Sequence, residues 1–315
     1  GGTSPNAVRV TAHRTEGSPD GGVPLSFGPL FGTNSADVTR TATAMAIGPD
    51  FPALLVLHPS SRCALTVSGS ATLTVTGGPV HVNSSNPSCA ACIGGNSEVH
   101  ASALNTFGQA CINGGTLLDT TVNTGVAPYP DPFAALPAPP IGSPLGSITV
   151  GTGQTVTLAP GNYSGGLTIR GTAILSQGVY VVGGTGLKLN SGAVLEADGV
   201  MFYIAAGGMS VSSGVDFSLL APDPTRHSFV GVDTYAGISI FQARTNNSTA
   251  TLSMSGNIAL DGVYYFPNAA LNITSSGSRS GARFIASELK FTGSGEIIID
   301  YHAPSPSDSP TYLVE

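Results

Sequence analysis

Charge is what this sequence has least of. Asp, Glu, Lys and Arg together make up 9% of its 315 residues, against roughly 25% in ordinary soluble domains. Lysine occurs only at Lys188 and Lys290. The 11 basic residues are scattered, and the net charge is −7. That excludes the clustered Lys and Arg with which a nucleic-acid binder displaces counterions from phosphates. No run reaches the roughly 18 consecutive apolar residues of a membrane-spanning helix, so no membrane span is expected within this chain. No long segment places apolar residues at i, i+3, i+4 and i+7, so helix is not expected either. No signal peptide is visible ahead of Gly1, and the chain reads as processed or truncated, its export signal removed.

What is present is a surface of hydroxyls, amides and backbone. Apolar residues make up 41%, enough for a sizeable core, and Gly (42) and Pro (23) are abundant. A hydroxyl-rich, lysine-poor chain fits an extracellular or cell-surface protein. Short apolar runs bounded by Gly, Ser, Asn and Pro are the strand-and-turn signature.

The chain divides by pattern. Residues 1–50 form an N-terminal β-strand unit, with strands expected at Ala7–Ala12 and Ala36–Ala44. Val23-Pro24-Leu25 and Pro29-Leu30-Phe31 lie between them, and Pro24 argues for an edge or a loop. Residues 51–125 form a first β-solenoid part that contains all four cysteines. Residues 126–147 are a Pro-rich linker, extended and partly polyproline II, expected to pack along a surface. Residues 148–301 form the main β-helix, and 302–315 a C-terminal tail.

The main segment repeats. Gly166-Leu167-Thr168-Ile169 recurs as Gly186-Leu187-Lys188-Leu189 and as Gly208-Met209-Ser210-Val211. Gly178-Val179-Tyr180 aligns with Gly199-Val200-Met201 and again with Gly262-Val263-Tyr264. Ala173-Ile174-Leu175 aligns with Ala193-Val194-Leu195. A unit of about 20–22 residues with three short strands suits one coil of a β-helix. Strands would stack at about 4.7–4.9 Å, with glycine at the corners. One interruption is expected near Pro222–Tyr235. The fold class is therefore all-β, a right-handed parallel β-helix with a small N-terminal β unit. A sandwich or barrel is the alternative, and the period argues against it.

Cys63, Cys89, Cys92 and Cys111 fall in one short window. In an exported protein they read as two disulfides of open pairing. Zinc is the competing reading, because Cys89-Ala-Ala-Cys92 has ligand spacing and His81 and His100 are near. Free thiols remain a third.

Several segments resemble TadE/TadG-like proteins of the tight-adherence (Flp) pilus system. The resemblance rests on Pro5-Asn6-Ala7-Val8-Arg9-Val10-Thr11-Ala12, then Val23-Pro24-Leu25 to Phe31-Gly32, then Ala36 to Ala44. It is distinctive over about 40 residues. It implies an envelope or appendage component, with no catalytic residues to carry over. The family's N-terminal anchor is not in this sequence.

The enzymatic rival is a polysaccharide lyase or hydrolase. A hydrolase needs two carboxylates flanking the bond, and Glu196, Asp198, Asp216, Asp233 and Asp261 are available. Asp198-Gly199 and Asp261-Gly262 favour a turn role. A lyase would add a basic residue such as Arg170, Arg244 or Arg283. A glycan-binding module would expose Tyr163, Tyr180, Tyr264 or Tyr265. Calcium in the Pro222–Asp233 loop is a further candidate. Glycosylation sequons occur at Asn83, Asn162, Asn246, Asn247 and Asn272. The preferred expectation is a non-enzymatic extracellular structural protein with no catalytic residue, metal or cofactor. Its expected partners are copies of itself, head to tail or by strand addition through Asn6–His13 or Thr311–Glu315, and cell-surface glycans.

Overall fold

The computed structural model describes residues 7–15, 17, 21–25, 34–45, 51–275 and 278–301. Pro29-Leu30-Phe31 and the 302–315 tail lie outside the described residues. The described chain falls into two units, 7–45 and 51–301.

In the first unit, Ala7–Arg14 and Val38–Met45 pair antiparallel from Ala7↔Met45 to Arg14↔Val38. Val23–Pro24 and Ser35–Ala36 form a second, two-residue pair.

The second unit is the solenoid that the repeat predicts. Its strands are parallel, its described residues contain no helix, and each coil contributes one strand to each of three faces. On the first face, Tyr180, Phe202, Ile240, Tyr264, Phe284, Leu54, Val80 and Leu104 are successive register partners. Every one of them is 0% exposed. On the second face the inward column runs through Ile169, Leu189, Val211, Leu252, Ile273, Phe291, Val67 and Ile93. The third face adds columns such as Ala173–Leu195–Phe217. Each fully buried Leu, Ile, Val or Phe contributes about 1.5–3 kcal/mol. No single coil can bury its own inner face, so stacking makes the core.

Corners need glycine where the next coil's backbone lies directly above. A Cβ on Gly69 (φ +89) would sit 2.8 Å from the Gly293 carbonyl oxygen. Cβ atoms on Gly95 and Gly114, both also at positive φ, would meet the Gly69 and Gly95 carbonyls just as closely.

Two sequence alignments are corrected by the register. Gly178 pairs with Val200, not Gly199, and Ala173 pairs with Leu195, not Ala193. The first slip matters, because an odd offset exchanges inward and outward faces. Packing decides it: Tyr180 must lie over Phe202, with ring centroids 5.6 Å apart. Gly199 instead takes φ +70 at the corner. The expected interruption is present as turns and loop between Asp216–Leu220 and Ile238–Gln242.

The stacking order is not the chain order. Strands from 147 to 300 wind up one part of the stack. The last of these coils then receives the first one: Leu54–Val56 pairs with 284–286, Leu65–Gly69 with 289–293, and Thr72–Thr76 with Glu296–Asp300. The coils of 80–101 and 103–118 follow, ending in Thr121–Thr124. The chain thus enters the body at Phe51 and leaves it at Tyr301 in adjacent coils, within the stack. Both ends of the stack are built from internal residues, near 103–124 and near 141–158.

Candidate functional site

The junction between the first-made and last-made coils is a seam without covalent continuity. Arg283 sits in it, 1% exposed. Its guanidinium donates to the Pro52 carbonyl at 2.6 Å and lies over the rings of Phe51 and Tyr301. One buried cation therefore holds both the entering and the leaving strand. Burial pushes its pKa down to about 10, which leaves it protonated at neutral pH. Ser61 Oγ donates to Glu288 at 2.6 Å, and Thr74 donates to Glu296 at 2.9 Å across the same seam.

A strap runs down the outside of the first face from one end of the stack to the other. Val126 N–H donates to Thr106 O. Asn83 exchanges two 2.8 Å hydrogen bonds with the Tyr129 backbone, and the Tyr129 ring meets Phe51 and His81 edge-on. Tyr265 donates to Asp131 at 2.6 Å. Arg244 donates to the Phe133 and Leu136 carbonyls and stacks on Phe241 and Tyr265. Asn162 finally donates to Gly142 O at 2.8 Å. Under the strap, Leu55, Val181, Met201, Tyr203, Phe241, Tyr265 and Ile285 form a second apolar cluster. His81 lies at its edge, 4% exposed with Nε2 unpartnered. Burial lowers its pKa below 6.5.

The four cysteines form two disulfides, Cys63–Cys92 and Cys89–Cys111. Each ties the approach to a second-face strand to that strand's neighbour one coil on, so three successive coils next to the 103–124 end are stapled. The sulfurs of Cys63, Cys89 and Cys92 lie within 4.8 Å of one another, and in this structure they are consumed in the disulfides.

Within the solenoid unit, no described coil covers that end of the stack. Leu104, Ile93 and Val99 are at most 2% exposed. One rung further, their register partners Val122 and Ile112 are 36% and 43% exposed, and Leu117 is half-buried. All four residues of Thr121–Thr124 are exposed.

The polysaccharide-active candidates are spread over separate roles. Glu196 and Asp198 project from one strand into a shallow surface concavity with Ile174 and Ser218. Asp198 is held by Arg226 at 3.1 Å and His227 at 3.2 Å. The Nδ1 of His227 accepts from Asp223 N–H, so its Nε2 carries the proton given to Asp198. Asp216 accepts from Asn257 N–H, Asp261 from Gly262 N–H, and Asp233 is exposed. Arg170 is exposed, whereas Arg244 and Arg283 serve the strap and the seam. In the Pro222–Asp233 loop, Asp223 accepts from the Thr225 N–H and hydroxyl, bonds that lower its pKa. The expectation of exposed tyrosines is overturned: Tyr163, Tyr180, Tyr264 and Tyr265 are at most 3% exposed and present no ring to a sugar. Among the sequons, Asn83, Asn162 and Asn246 are buried with their amides in use.

The N-terminal unit carries the remaining information, and its long antiparallel pair frames the residues on which the pilus resemblance rests. Residues 1–44 match a family described as "Putative Tad-like Flp pilus-assembly". No curated protein and no solved structure matches the chain. The Tad-like segment and the disulfides fit a pilus-related extracellular or surface protein. No helix among the described residues is long and apolar enough to cross a membrane.

Sequence reasoning missed the seam, the role of Arg283 in it and the strap's partners. One signal was available for the strap. First-face strands such as Val200–Ile204 and Leu54–Val56 are continuous apolar runs, buried at every position. Continuous runs mark strands covered on both sides, whereas alternation marks one solvated side.

Proposed function

We propose that this chain is a non-enzymatic structural component of a pilus-related surface apparatus, its solenoid acting as a rigid spacer. Its partners in this reading are other copies of itself. One observation carries it: an uninterrupted apolar column stacks through every coil, from Val150 to Ile112 on the second face. The Tad-like N-terminal match supports the apparatus. The test is cell fractionation with antibody against the solenoid, combined with depolymerisation assays on acidic and neutral polysaccharides. The expected result is a surface fraction that follows the pili and carries no depolymerising activity.

A second reading, a β-helical glycan hydrolase, draws on Glu196 and Asp198. Residues i and i+2 of a strand share a face about 7 Å apart, near the separation an inverting hydrolase uses. The grip of Arg226 and His227 on Asp198 weighs against it. Polysaccharide cleavage abolished by Glu196→Gln would establish this reading and sink the first.

A further inference from the structure

We infer that the 103–124 end of the stack docks a second copy of this chain, which presents its 141–158 end as the continuing coil. The inference rests on the structural-component reading and names the contact that reading leaves open.

Three observations converge on the 103–124 end. First, all three inward columns reach it with no described coil of the solenoid beyond them. Ile93 is 1% exposed, and its partner on the last second-face rung, Ile112, is 43% exposed. Val122 repeats the pattern on the first face. Second, Ala110–Asn113, Thr116–Leu118 and Thr121–Thr124 are each the last rung of their face. Third, these strands lack the residues that blunt an edge. Residues 103–124 contain no Pro and no Lys, the usual guards of a free strand edge, and Asp119 is their only charge.

The molecule itself shows what such an end accepts. At the seam, a coil far removed from its neighbour in sequence (Pro52 and Arg283 are 231 residues apart) docks by parallel rungs on all three faces. Glycine corner meets glycine corner there, Gly69 over Gly293, and the column continues through Gly95 to Gly114 at the open end. No peptide bond crosses that junction, so a coil from another molecule can make the same contacts.

The 141–158 end has the matching form. Ser147–Val150 and Thr155–Leu158 are the terminal strands of the second and third faces there. The first face is completed only by a single bridge, Pro144 to Asn162. The open end instead has its extra rung, Thr121–Thr124, on the first face. The two steps are complementary. Ile141 and Leu145 are 67% and 52% exposed at this end, and residues 141–158 carry no charge, which suits an uncharged partner. Joining unlike ends is heterologous and leaves a free end of each kind, so the product is an open filament.

Sedimentation velocity over a concentration series tests the inference on four proteins. These are the wild type, I112K/V122K at the open end, I141K/L145K at the other, and V230K as a control at a residue 97% exposed elsewhere. The wild type and V230K are expected to grow in mass with concentration. Each end variant alone is expected to stay monomeric, and an equimolar mixture of the two to form dimers and nothing longer. If a lysine variant melts early, I112S/V122S and I141S/L145S replace it. A wild type monomeric at all concentrations overturns the inference, as does association lost only in I112K/V122K, which would mean like ends meet. Filaments that survive both end variants overturn it too, while leaving self-assembly standing. The surface and polysaccharide assays report on the structural reading independently of all these outcomes.

Discussion

His81 is a basic group placed where its charge is costly. It lies on the outward side of the first face, in register with Leu55 and under the Tyr129 ring. Its folded pKa is lowered from 6.5 by burial, so the unfolded chain binds its proton more readily than the folded one. Its contribution to stability is therefore complete above pH 6.5 and is lost as pH falls through that value toward the lowered one. His81→Leu extends the apolar column and should flatten the loss of stability between neutral and mildly acidic pH, as read by chemical denaturation at each pH. An unchanged slope would assign the acid sensitivity elsewhere. Arg283 is the opposite case, a buried charge held by rings and a carbonyl. Arg283→Ala should cost about 3 kcal/mol through the cavity and the lost cation–π contacts. Arg283→Met keeps most of the stem's volume and should cost clearly less. Equal losses would show that the guanidinium, not its packing, closes the seam.

Among the elements, the last coils depend most on cross-links, because no further coil covers them. The disulfides close loops of 29 and 22 residues, worth about 3 kcal/mol each on the loop-entropy argument. Replacing Cys89 and Cys111 by Ser should lower stability by roughly that amount. Hydrogen exchange should show Ala103–Thr106 and Ala110–Asn113 losing protection first, with Gly178–Val182 unchanged. Uniform loss along the stack would contradict a local staple. The elements also show how far the sequence could be read. Period, strand length and corner glycines are local signals, and they fix the coil. Register is less local: Gly178 and Gly199 look equivalent as letters, yet ring packing of Tyr180 on Phe202 sets the pairing one residue away. The pairing of 54–76 with 283–300 has no local signature at all. It follows from which exposed coil finds which, and so do the roles of Arg283 and the strap. The open end was legible only as a general property of solenoids. Its location depended on the stacking order.

At the scale of the whole molecule, the body is two solenoid pieces, 51–124 and 147–301, joined twice: covalently by the strap and non-covalently by the seam. The seam buries apolar columns on three faces, so it should outlast the covalent link. A protease site placed at the exposed Ile141–Gly142 should give two fragments on a denaturing gel and a single species on native size exclusion. Fragments that separate natively would show that the strap, not the seam, holds the pieces together.

The seam also sets a schedule. Pro52 and Arg283 are 231 residues apart, and a ribosome adding roughly 5–20 residues per second needs about 10–50 s to cover that distance. For that interval the 54–76 coil has an apolar underside and no coil to rest on, while later coils assemble from the other end. The last coil to be made closes the first. Until it does, the nascent chain carries an unsheltered sheet edge of the kind that recruits neighbours.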